Sequence, residues 1–338
     1  MRVMSDEKKT KKRKRQVPKK GFLHAYFAFG DIEGENVRTV AYKDQYCDVE
    51  YEILPRGTRG SFAEVRLARD LKTGREAVVK YPRSDKELTD RYSNEEISAI
   101  FLKEAVLLQS MDHPHIVKGY RRFYDEDETI HIPMERLVQS AEDFLMESPT
   151  MKRLYFMMKQ AASGIAYLEK SEIVHCDFST KNMMVDKKKQ LKILDFGSAN
   201  LVGQEIKELM STPRYMPMVW PTGYATTSID LHCFGISMAE LLLEMNGFDQ
   251  DKEITPLTSQ LKQGNRDALQ ILTLEGVPIY LIDNIIIGCL ESVNESSDFT
   301  SKRLEELIET FGVSQGFEPN EKSKNIITGE EKEQEPDY

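Results

Sequence analysis

The sequence predicts an α+β fold in which a β-rich first part is followed by a larger helical part. Three runs rich in β-branched and aromatic residues, at positions 48–54, 62–69 and 75–81, are separated by turn residues and indicate neighbouring strands. Apolar residues then recur at helical spacing in residues 94–110 and 151–170. Strands that come first and long helices that follow are typical of the α+β class.

The composition predicts a soluble intracellular protein without a structural metal. Of the 338 residues, 40% are hydrophobic and 30% are charged, as in ordinary soluble proteins. The most apolar stretch, residues 277–290, is too short to cross a bilayer. The chain opens on basic residues where a signal peptide would need an apolar run. No CxxC pair occurs among the cysteines, which favours a reducing compartment. The cysteines are Cys47, Cys176, Cys233 and Cys289.

The charge is unevenly distributed along the chain. Residues 1–20 carry a net charge of +8, so that the remaining residues sum to −18 within a total of −10. The basic segment predicts a disordered tail, which could be a nuclear import signal or a solvated arm that binds RNA or anionic lipid. The acidic remainder argues against nucleic acid as the main substrate, so any nucleic-acid contact is expected through this tail alone. Residues 21–47 predict an N-terminal extension that packs on the domain behind it.

Residues 175–197 carry two aspartates and an asparagine in a pattern suited to phosphoryl transfer. His175-Cys-Asp177 is followed by Asn182, and Asp195-Phe-Gly197 comes after two apolar runs that a Lys-rich turn separates. The two runs predict a β-hairpin, which places the polar groups on the rim of one small sheet. In phosphoryl transfer, one carboxylate accepts the proton of the incoming hydroxyl, while an amide oxygen and a second carboxylate hold Mg²⁺ ions.

This stretch resembles the catalytic machinery of eukaryotic-type, Ser/Thr-like protein kinases. His175-Cys-Asp-Phe-Ser-Thr-Lys-Asn182 is similar to their catalytic loop, and Asp195-Phe-Gly197 to their metal-binding triplet. The resemblance implies that Asp177 accepts the hydroxyl proton and that Asn182 and Asp195 hold Mg²⁺. It also implies ATP and a protein as the two substrates.

The resemblance covers about residues 48–311 and implies a bilobal kinase-like fold with the nucleotide between the lobes. The expected small β-rich N-lobe spans residues 48–137, and the expected larger helical C-lobe spans residues 138–312. A disordered acidic tail is expected over residues 313–338. Its glutamate-rich end, residues 329–335, resembles C-terminal translocation signals of injected bacterial effectors, but an ordinary acidic solubilising tail is the alternative.

The N-lobe motifs supply the remaining catalytic groups that the resemblance implies. Lys80 ends Ala77-Val-Val-Lys80, which is similar to the V-A-I-K strand, and would contact phosphate oxygens while Glu104 of the following helix pairs with it. The phosphate-covering loop keeps one of three family glycines, and Val78 replaces a smaller alanine over the adenine, so we expect weaker nucleotide binding. The implied nucleotide-binding residues are Thr58, Gly60, Ser61, Val65, Val78, Lys80, Met134, Glu135, Leu137 and Met184.

Two C-lobe features separate this chain from typical family members. Ser211-Thr-Pro-Arg-Tyr-Met216 resembles the family's G-T-x-x-Y-M, in which the threonine, here Thr212, contacts the catalytic aspartate. The A-P-E that normally follows is Pro217-Met-Val219 here, and no Arg or Lys occurs between Leu290 and Lys302. In the family, the glutamate of A-P-E pairs with an arginine in a late C-lobe loop. Both partners are missing here, so neither charge is left without its partner.

Cys176 stands where most family members have the arginine that receives an activation-loop phosphate. This predicts activity without such phosphorylation; the alternative is a solvent-facing cysteine with no role. The acceptor is expected to be Ser or Thr from the Thr212 motif. However, Ser179 replaces the lysine of Ser/Thr enzymes, and Lys181 lies where tyrosine kinases carry arginine.

The function predicted from the sequence is an ATP- and Mg²⁺-dependent protein kinase that phosphorylates Ser or Thr in proteins. A pseudokinase that serves as a scaffold is one alternative, favoured by the thinned glycine loop and the missing A-P-E. A small-molecule phosphotransferase is the other, but such enzymes generally lack a match to Asp230-Leu-His-Cys-Phe-Gly235. The expected location is the nucleus or cytoplasm, or a host cell if the chain is a secreted effector. The sequence leaves the oligomeric state open.

Overall fold

The structure is a computed structural model. It describes most of the chain between the two termini, with short gaps. The described residues are 30–31, 37–43, 48–60, 62–206, 214–218, 223–294 and 296–318.

The first part of the described chain is a curled antiparallel sheet. Its strand order is β1-β3-β4-β5-β7-β6, and β2 also pairs with β3. The sheet has two buried faces, since Val78 belongs to the main core cluster while its neighbour Val79 belongs to a smaller cluster on the opposite face. The strands are β1 (Gly30–Asp31), β2 (Arg38–Lys43), β3 (Asp48–Arg59), β4 (Ala63–Asp70), β5 (Glu76–Pro82), β6 (Phe123–Tyr124) and β7 (Ile130–Glu135).

Strand β3 is longer than the sequence predicts. The turn expected at residues 55–61 instead continues the strand to Arg59, with a register shift between Ile53 and Gly57. A β-bulge accommodates Pro55 and Gly57, the residues that indicated a turn, within the strand. A Cβ at Gly57 would lie 2.4 Å from the Val65 carbonyl oxygen, so this position needs glycine for close backbone approach.

Helix α2 (Asn94–Ser110) packs against the sheet and follows the short helix α1 (Lys86–Thr89). Its predicted bounds are confirmed, and its start is set by a capping box between Ser93 and Glu96. Ile97, Phe101, Ala105 and Leu108 bury one face against the sheet, which leaves Glu104 on that same buried face. Packing of the apolar residues therefore carries a carboxylate into the interior.

The second part of the described chain is mainly helical, and α5 forms its buried centre. It also contains two small sheets: β8, β10 and β11 form one, and β9 and β12 form the other. The predicted helix over residues 151–170 is confirmed as α4. The helices are α3 (Ala141–Glu147), α4 (Met151–Lys170), α5 (Thr227–Met245), α6 (Thr255–Lys262), α7 (Gln270–Leu274), α8 (Ile287–Glu291) and α9 (Ser301–Ser314). The short strands are β8 (Gln139–Ser140), β9 (Ile173–Val174), β10 (Met183–Val185), β11 (Leu191–Ile193) and β12 (Asn200–Leu201).

The disordered tail was predicted to begin at residue 313, and this starting point is wrong. Helix α9 runs to Ser314, the ring of Phe317 packs 5.5 Å from that of Tyr155, and Glu318 accepts a hydrogen bond from Lys159 at 2.7 Å. Apolar contact and this ion pair fold the chain back onto α4. Residues 1–29 and 319–338 lie outside the described residues. In the part of the chain that is described, no helix is long and apolar enough to cross a membrane.

Candidate active site

One face of the sheet collects several of the residues predicted to bind nucleotide. Thr58 lies opposite Val65 across β3 and β4, and Val65 lies opposite Lys80 across β4 and β5. Val78 lies opposite Met134 across β5 and β7. Residues directly opposite in an antiparallel pair share a face, as do residues two apart in one strand. The register alone therefore places all five side chains on the same side of the sheet.

Lys80 connects that face to the rest of the site. Its Nζ donates to both carboxylate oxygens of Glu104, at 2.7 and 2.8 Å, and to Oδ1 of Asp195 at 2.7 Å. Glu104 is only 1% exposed, so its charge has no water to stabilise it and depends on the ammonium group. The three groups come from β5, α2 and the loop after β11, which the fold must bring together.

Lys80 and Asp195 stabilise each other's charge, whereas burial, with the like charge of Asp195, raises the pKa of Glu104 against the pull of Lys80. Burial alone would lower the pKa of Lys80, but Asp195 and Glu104 raise it above its ordinary value. Burial would likewise raise the pKa of Asp195, yet the ammonium of Lys80 holds it below the ordinary range. Both groups are therefore charged at neutral pH, which is the state that phosphate and metal binding require.

Asn182 organises the loop that carries Asp177. Its side-chain Nδ2 donates to the backbone oxygen of Asp177 at 2.8 Å and to Oδ2 of the same residue at 3.0 Å. The backbone oxygen of Asn182 accepts from Leu194 N at 3.0 Å, directly before Asp195 in the chain. The loop that carries Asp177 and the strand end that carries Asp195 are thus hydrogen-bonded to each other. The polar groups lie at one edge of the β10–β11 hairpin, as the sequence predicts.

Asp230 of α5 binds the backbone of the loop that carries Asp177. Its two carboxylate oxygens accept from His175 N at 2.7 Å and from Cys176 N at 3.0 Å. Cys176 has φ of 61°, in the left-handed region that a residue with a side chain adopts only under constraint. The buried carboxylate provides that constraint, because both N–H groups must point at it.

Comparison with known proteins agrees with this geometry. Residues 52–310 match the protein kinase domain family, well over half of the chain. The chain belongs to the protein kinase family. The predicted family and the predicted two-part α+β kinase fold are confirmed. Residues 52–310 also begin and end close to the limits of the resemblance seen in the sequence.

Three curated relatives of this kinase chain are protein kinases by name, and one of them is a serine/threonine-protein kinase. It is 29% identical over 214 residues to the serine/threonine-protein kinase PrkC of Bacillus subtilis, covering 61% of this chain and 32% of that protein. It is 28% identical over 224 residues to the carbon catabolite-derepressing protein kinase of Candida albicans, covering 63% and 34%. It is 28% identical over 212 residues to the SNF1-related protein kinase catalytic subunit alpha KIN12 of Arabidopsis thaliana, covering 61% and 41%. The chain thus spans less than half the length of these relatives.

The structure corrects one reading of Cys176 in the kinase loop. The side chain is 1% exposed, so the alternative of a solvent-facing cysteine is wrong. Burial raises the pKa of its thiol to about 12, and Asn200 Nδ2 lies 3.9 Å from Sγ. A buried neutral thiol is inert and can pack against β12, which the longer charged arginine of other family members could not do without a partner.

A second polar network in this kinase chain was not predicted from the sequence. Tyr215 Oη donates to Glu240 at 2.6 Å and lies 3.0 Å from Thr180 Oγ1, while Arg214 pairs with Glu240 at 2.5 Å. The segment after Asp195 is thereby tied both to the catalytic loop and to α5. Glu240, inside a mostly apolar helix, was the sequence signal, because a buried carboxylate needs a partner.

Some predicted nucleotide-binding residues have other contacts in the structure. The Glu135 carboxylate accepts from Lys118 N at 2.8 Å and pairs with Lys192 at 2.9 Å, so its side chain is engaged within the protein. Leu137 and Met184 are buried in the main core cluster together with Val78 and Met134. Gly60 N donates to the Ala63 oxygen at 2.8 Å and closes the turn between β3 and β4. Ser61 and Thr212 lie outside the described residues.

We predict that Asp230 makes the stability of the fold depend on pH between about 4 and 6. Burial raises the pKa of Asp230 from 3.8 to about 6. The folded state then holds a proton that the unfolded state has already lost, so the free energy of unfolding falls as pH rises through this window, by about 3 kcal/mol. Above pH 6 the contribution is constant. Urea unfolding at pH 4.5 and 7, for the wild type and Asp230→Asn, measures it.

The stability of the wild type relative to Asp230→Asn should decline from pH 4.5 to 7. Asp112→Asn is the control, since a hydrogen bond from Lys118 lowers the pKa of Asp112 below its ordinary value, so this carboxylate stays ionised in the folded and the unfolded chain from pH 4.5 to 7 and its difference from the wild type should not change over that range. A difference between the wild type and Asp230→Asn that stays constant over this range contradicts the prediction.

Proposed function

We propose that this protein transfers the γ-phosphoryl group of ATP to Ser or Thr hydroxyls of protein substrates. The observation that carries the proposal is the convergence of Lys80, Glu104 and Asp195 in one hydrogen-bonded triad beside the Asp177–Asn182 pair. In phosphoryl transfer the protein supplies positioning and charge rather than covalent chemistry. A cation at the phosphates and a carboxylate at the acceptor hydroxyl are what this site offers.

Each residue of the site has a definite role in this proposal. Lys80, fixed by Glu104, donates to phosphate oxygens of the nucleotide. The oxygen of the substrate hydroxyl bonds to the γ-phosphorus while the bond between the γ-phosphorus and the β-phosphate oxygen breaks. Asp177 accepts the proton that the hydroxyl loses. Asn182 keeps the Asp177 carboxylate oriented through the 3.0 Å hydrogen bond. Val65, Val78 and Met134 form an apolar surface against which the adenine ring packs.

The side chains present fit Mg²⁺. Asn182 uses its N–H₂ group to bind Asp177, so its amide oxygen is the atom suited to a cation, and Asp195 provides an ionised carboxylate. Both are hard oxygen ligands, as Mg²⁺ prefers. Bound there, Mg²⁺ supplies charge neutralisation at the phosphates. Within the described residues no three His, Cys, Asp or Glu side chains form a cage, so phosphate oxygens and water would complete the coordination.

Support for a Ser or Thr acceptor comes from the relatives and from the loop. PrkC of Bacillus subtilis is a serine/threonine-protein kinase by name. Tyr215, in the motif that resembles Ser/Thr kinases, binds Thr180 of the catalytic loop. Ser179 stands where Ser/Thr enzymes have a lysine, so this position supplies no cation at the acceptor side. Its side chain is fully buried. We therefore expect transfer to Ser and Thr at a modest rate.

An arrayed peptide library tests the proposal directly. Each peptide is made in three versions that differ only in a Ser, Thr or Tyr acceptor, and is incubated with labelled ATP and Mg²⁺. We expect label on Ser and Thr peptides with the wild type and none with Asp195→Ala. Equal, negligible transfer by both proteins would instead favour a pseudokinase, and label on aminoalcohols but never on peptides would favour a small-molecule phosphotransferase.

We predict that Val78→Ala strengthens ATP binding. Val78 lies opposite Met134 on the nucleotide face, where its two methyl groups occupy space that the family leaves to the adenine. Removing them should lower the Kd for ATP by about tenfold, the usual scale for a small apolar group in a pocket. Isothermal titration calorimetry measures it. Val79→Ala is the matched control: Val79 belongs to the core cluster on the other face, so stability should fall and the Kd should not change.

We predict that activity survives removal of phosphate from the segment after Asp195. Cys176 cannot receive a phosphate as an arginine does, and the loop is held by Asp230 and by Tyr215 instead. Phosphatase treatment followed by the peptide assay should leave more than half of the rate. Cys176→Ser, which leaves the residue small and neutral, is the companion variant. Loss of activity after phosphatase treatment, restored by rephosphorylation, would contradict the prediction.

A further inference from the structure

The tip of the hairpin between β3 and β4 is fastened to the chain that follows β5. Residues 58–65 of this hairpin, named here the phosphate hairpin, resemble the loop that covers the phosphates in the family. Arg83 comes directly after β5, and its Nη1 donates to the Gly60 carbonyl oxygen at 2.9 Å. The backbone N–H of Arg83 donates to the Phe62 carbonyl oxygen at 3.0 Å. One residue therefore binds the hairpin on both sides of its tip.

The guanidinium of Arg83 is itself held in place by Asp85. Its Nε donates to Asp85 Oδ2 at 2.5 Å, and its Nη2 pairs with the same oxygen. Oδ1 of Asp85 accepts from Leu88 N at 3.3 Å at the start of α1, and Leu88 is buried in the main core cluster. All three guanidinium nitrogens thus have partners inside the protein, and a carboxylate offsets the charge. Arg83 is therefore suited to hold the hairpin rather than to bind a phosphate itself.

A ring contact fastens the same tip to the start of α2. The ring of Phe62 lies 5.1 Å from that of Tyr92, and both side chains pack against the main core cluster. Tyr92 directly precedes Ser93, the N-cap of α2. Because α2 also carries Glu104, one helix positions both the hairpin tip and the carboxylate that fixes Lys80.

The stem of the phosphate hairpin is fixed by a buried carboxylate. Glu64 accepts from Arg59 Nε at 2.7 Å, across the pair of strands β3 and β4. It also accepts from Arg66 Nε and from Tyr81 Oη, both at 3.1 Å. Burial acts to raise the pKa of Glu64, but Arg66 and Arg59 hold it below its ordinary value. This ionised carboxylate with several partners leaves the stem little freedom, so the tip is the part whose position has still to be set.

The composition of the phosphate hairpin makes a fixed tip useful. Thr58 and Ala63 occupy two of the three family glycine positions, and Gly60 keeps the third. A Cβ restricts the backbone, so this hairpin adapts less to a bound phosphate than a hairpin with three glycines. Since ordering a loop on binding costs affinity, a hairpin held in its binding position beforehand binds more tightly.

We propose that Arg83 is a positioning residue for ATP, because it holds the tip of the phosphate hairpin where the backbone N–H groups of the tip bind phosphate oxygens. This inference rests on the proposed function. In that function the adenine packs against Val78 and Met134, farther along the sheet. Arg83 therefore acts on the triphosphate alone, so its loss should weaken binding of ATP and leave binding of adenosine unchanged.

Calorimetric titration of the full chain with ATP and Mg²⁺, and separately with adenosine, tests this division. Arg83→Met should raise the Kd for ATP by about tenfold, the usual scale of a hydrogen bond from a charged group. The Kd for adenosine should stay within a factor of about two. Arg69→Met is the matched control, since it removes the same charge from an exposed side chain near the other end of β4. It should leave both Kd values unchanged.

Two further variants separate position from charge. Arg83→Lys keeps the positive charge but lacks the planar fork that joins Asp85 to Gly60, so the Kd for ATP should still rise by at least about threefold. Asp85→Asn keeps a side-chain oxygen for the N–H groups at the start of α1 and removes the charge that orients Arg83. It should raise the Kd for ATP in the same direction, and it covers the case in which Arg83→Met does not fold.

Hydrogen exchange followed by mass spectrometry reports on the hairpin tip without nucleotide. Residues 58–65 should exchange faster in Arg83→Met than in the wild type, because the tip loses its contact at Gly60. Arg69→Met should exchange as the wild type does. Unchanged exchange in Arg83→Met overturns the proposal.

The binding results distinguish this inference from the proposed function. Equal weakening of ATP and adenosine would show a general loss of structure and overturns the positioning role, as would wild-type affinity for ATP in Arg83→Lys. If Arg83→Met binds ATP as tightly as the wild type while the wild type transfers label to peptides, only this inference fails. A wild type that binds neither ATP nor adenosine overturns both.

Discussion

Lys80→Met is expected to lower both the stability and the phosphoryl-transfer rate of this kinase chain. The substitution leaves the buried carboxylate of Glu104 and the neighbouring Asp195 without their shared cation. Removing one partner of a buried ion pair costs about 3–5 kcal/mol in the free energy of unfolding. Removing a preorganised donor to a developing charge lowers the rate by about 100- to 1,000-fold. Urea unfolding and single-turnover transfer to a peptide measure the two effects.

A double variant separates the two effects. In Lys80→Met with Glu104→Gln, the stranded charge is replaced by a neutral amide, so much of the lost stability should return while the rate stays low. Lys159→Met is the matched control, since this lysine pairs with Glu318 at the surface of α4, far from the site. A Lys80→Met protein with nearly wild-type rate would show that the triad is structural only.

Asp177→Asn is expected to lower the transfer rate by about 10²- to 10⁴-fold with almost no change in stability. The amide keeps an oxygen that can accept the hydrogen bond from Asn182, so the loop geometry survives. It cannot take up the proton of the substrate hydroxyl. Single-turnover rates with saturating ATP test this, and the Kd for ATP should stay within a factor of about two.

Asp186→Asn provides the matched control for Asp177→Asn. Asp186 accepts from Lys188 N and Gln190 N in the exposed turn between β10 and β11, and asparagine can accept the same bonds. Its rate should equal that of the wild type. An Asp177→Asn protein that retains more than a tenth of the wild-type rate would remove the general-base role from the proposal.

Local patterns in the sequence predicted the elements of the site well. The predicted bounds of α2 and α4 came from apolar spacing, and the structure shows Ser93 and Thr150 as the caps of the two helices; the β10–β11 hairpin follows from two apolar runs around a turn. These features depend on neighbours within a few residues. The motif around Asp177 and Asp195 is equally local, because one loop and one hairpin hold it.

Errors in the prediction arose where distant residues override local preference. Pro55 and Gly57 signal a turn, but pairing with β4 holds them in an extended strand with a bulge. The alternative of a solvent-facing Cys176 was wrong because Asp230, more than fifty positions later, accepts a hydrogen bond from its backbone N–H and the side chain is buried. The network of Arg214, Tyr215 and Glu240 likewise needs α5 beside the segment after Asp195.

The sequence by itself determined which chemical groups this protein would bring to the proposed phosphoryl transfer, and on which elements they lie. It could do so because residue type, turn chemistry and periodicity act over short distances along the chain. Only the tertiary structure decided that Lys80 Nζ lies within 2.8 Å of carboxylate oxygens of both Glu104 and Asp195, and that Cys176 is buried. These facts depend on packing between elements far apart in the chain, where hydrophobic burial fixes positions that no local pattern encodes.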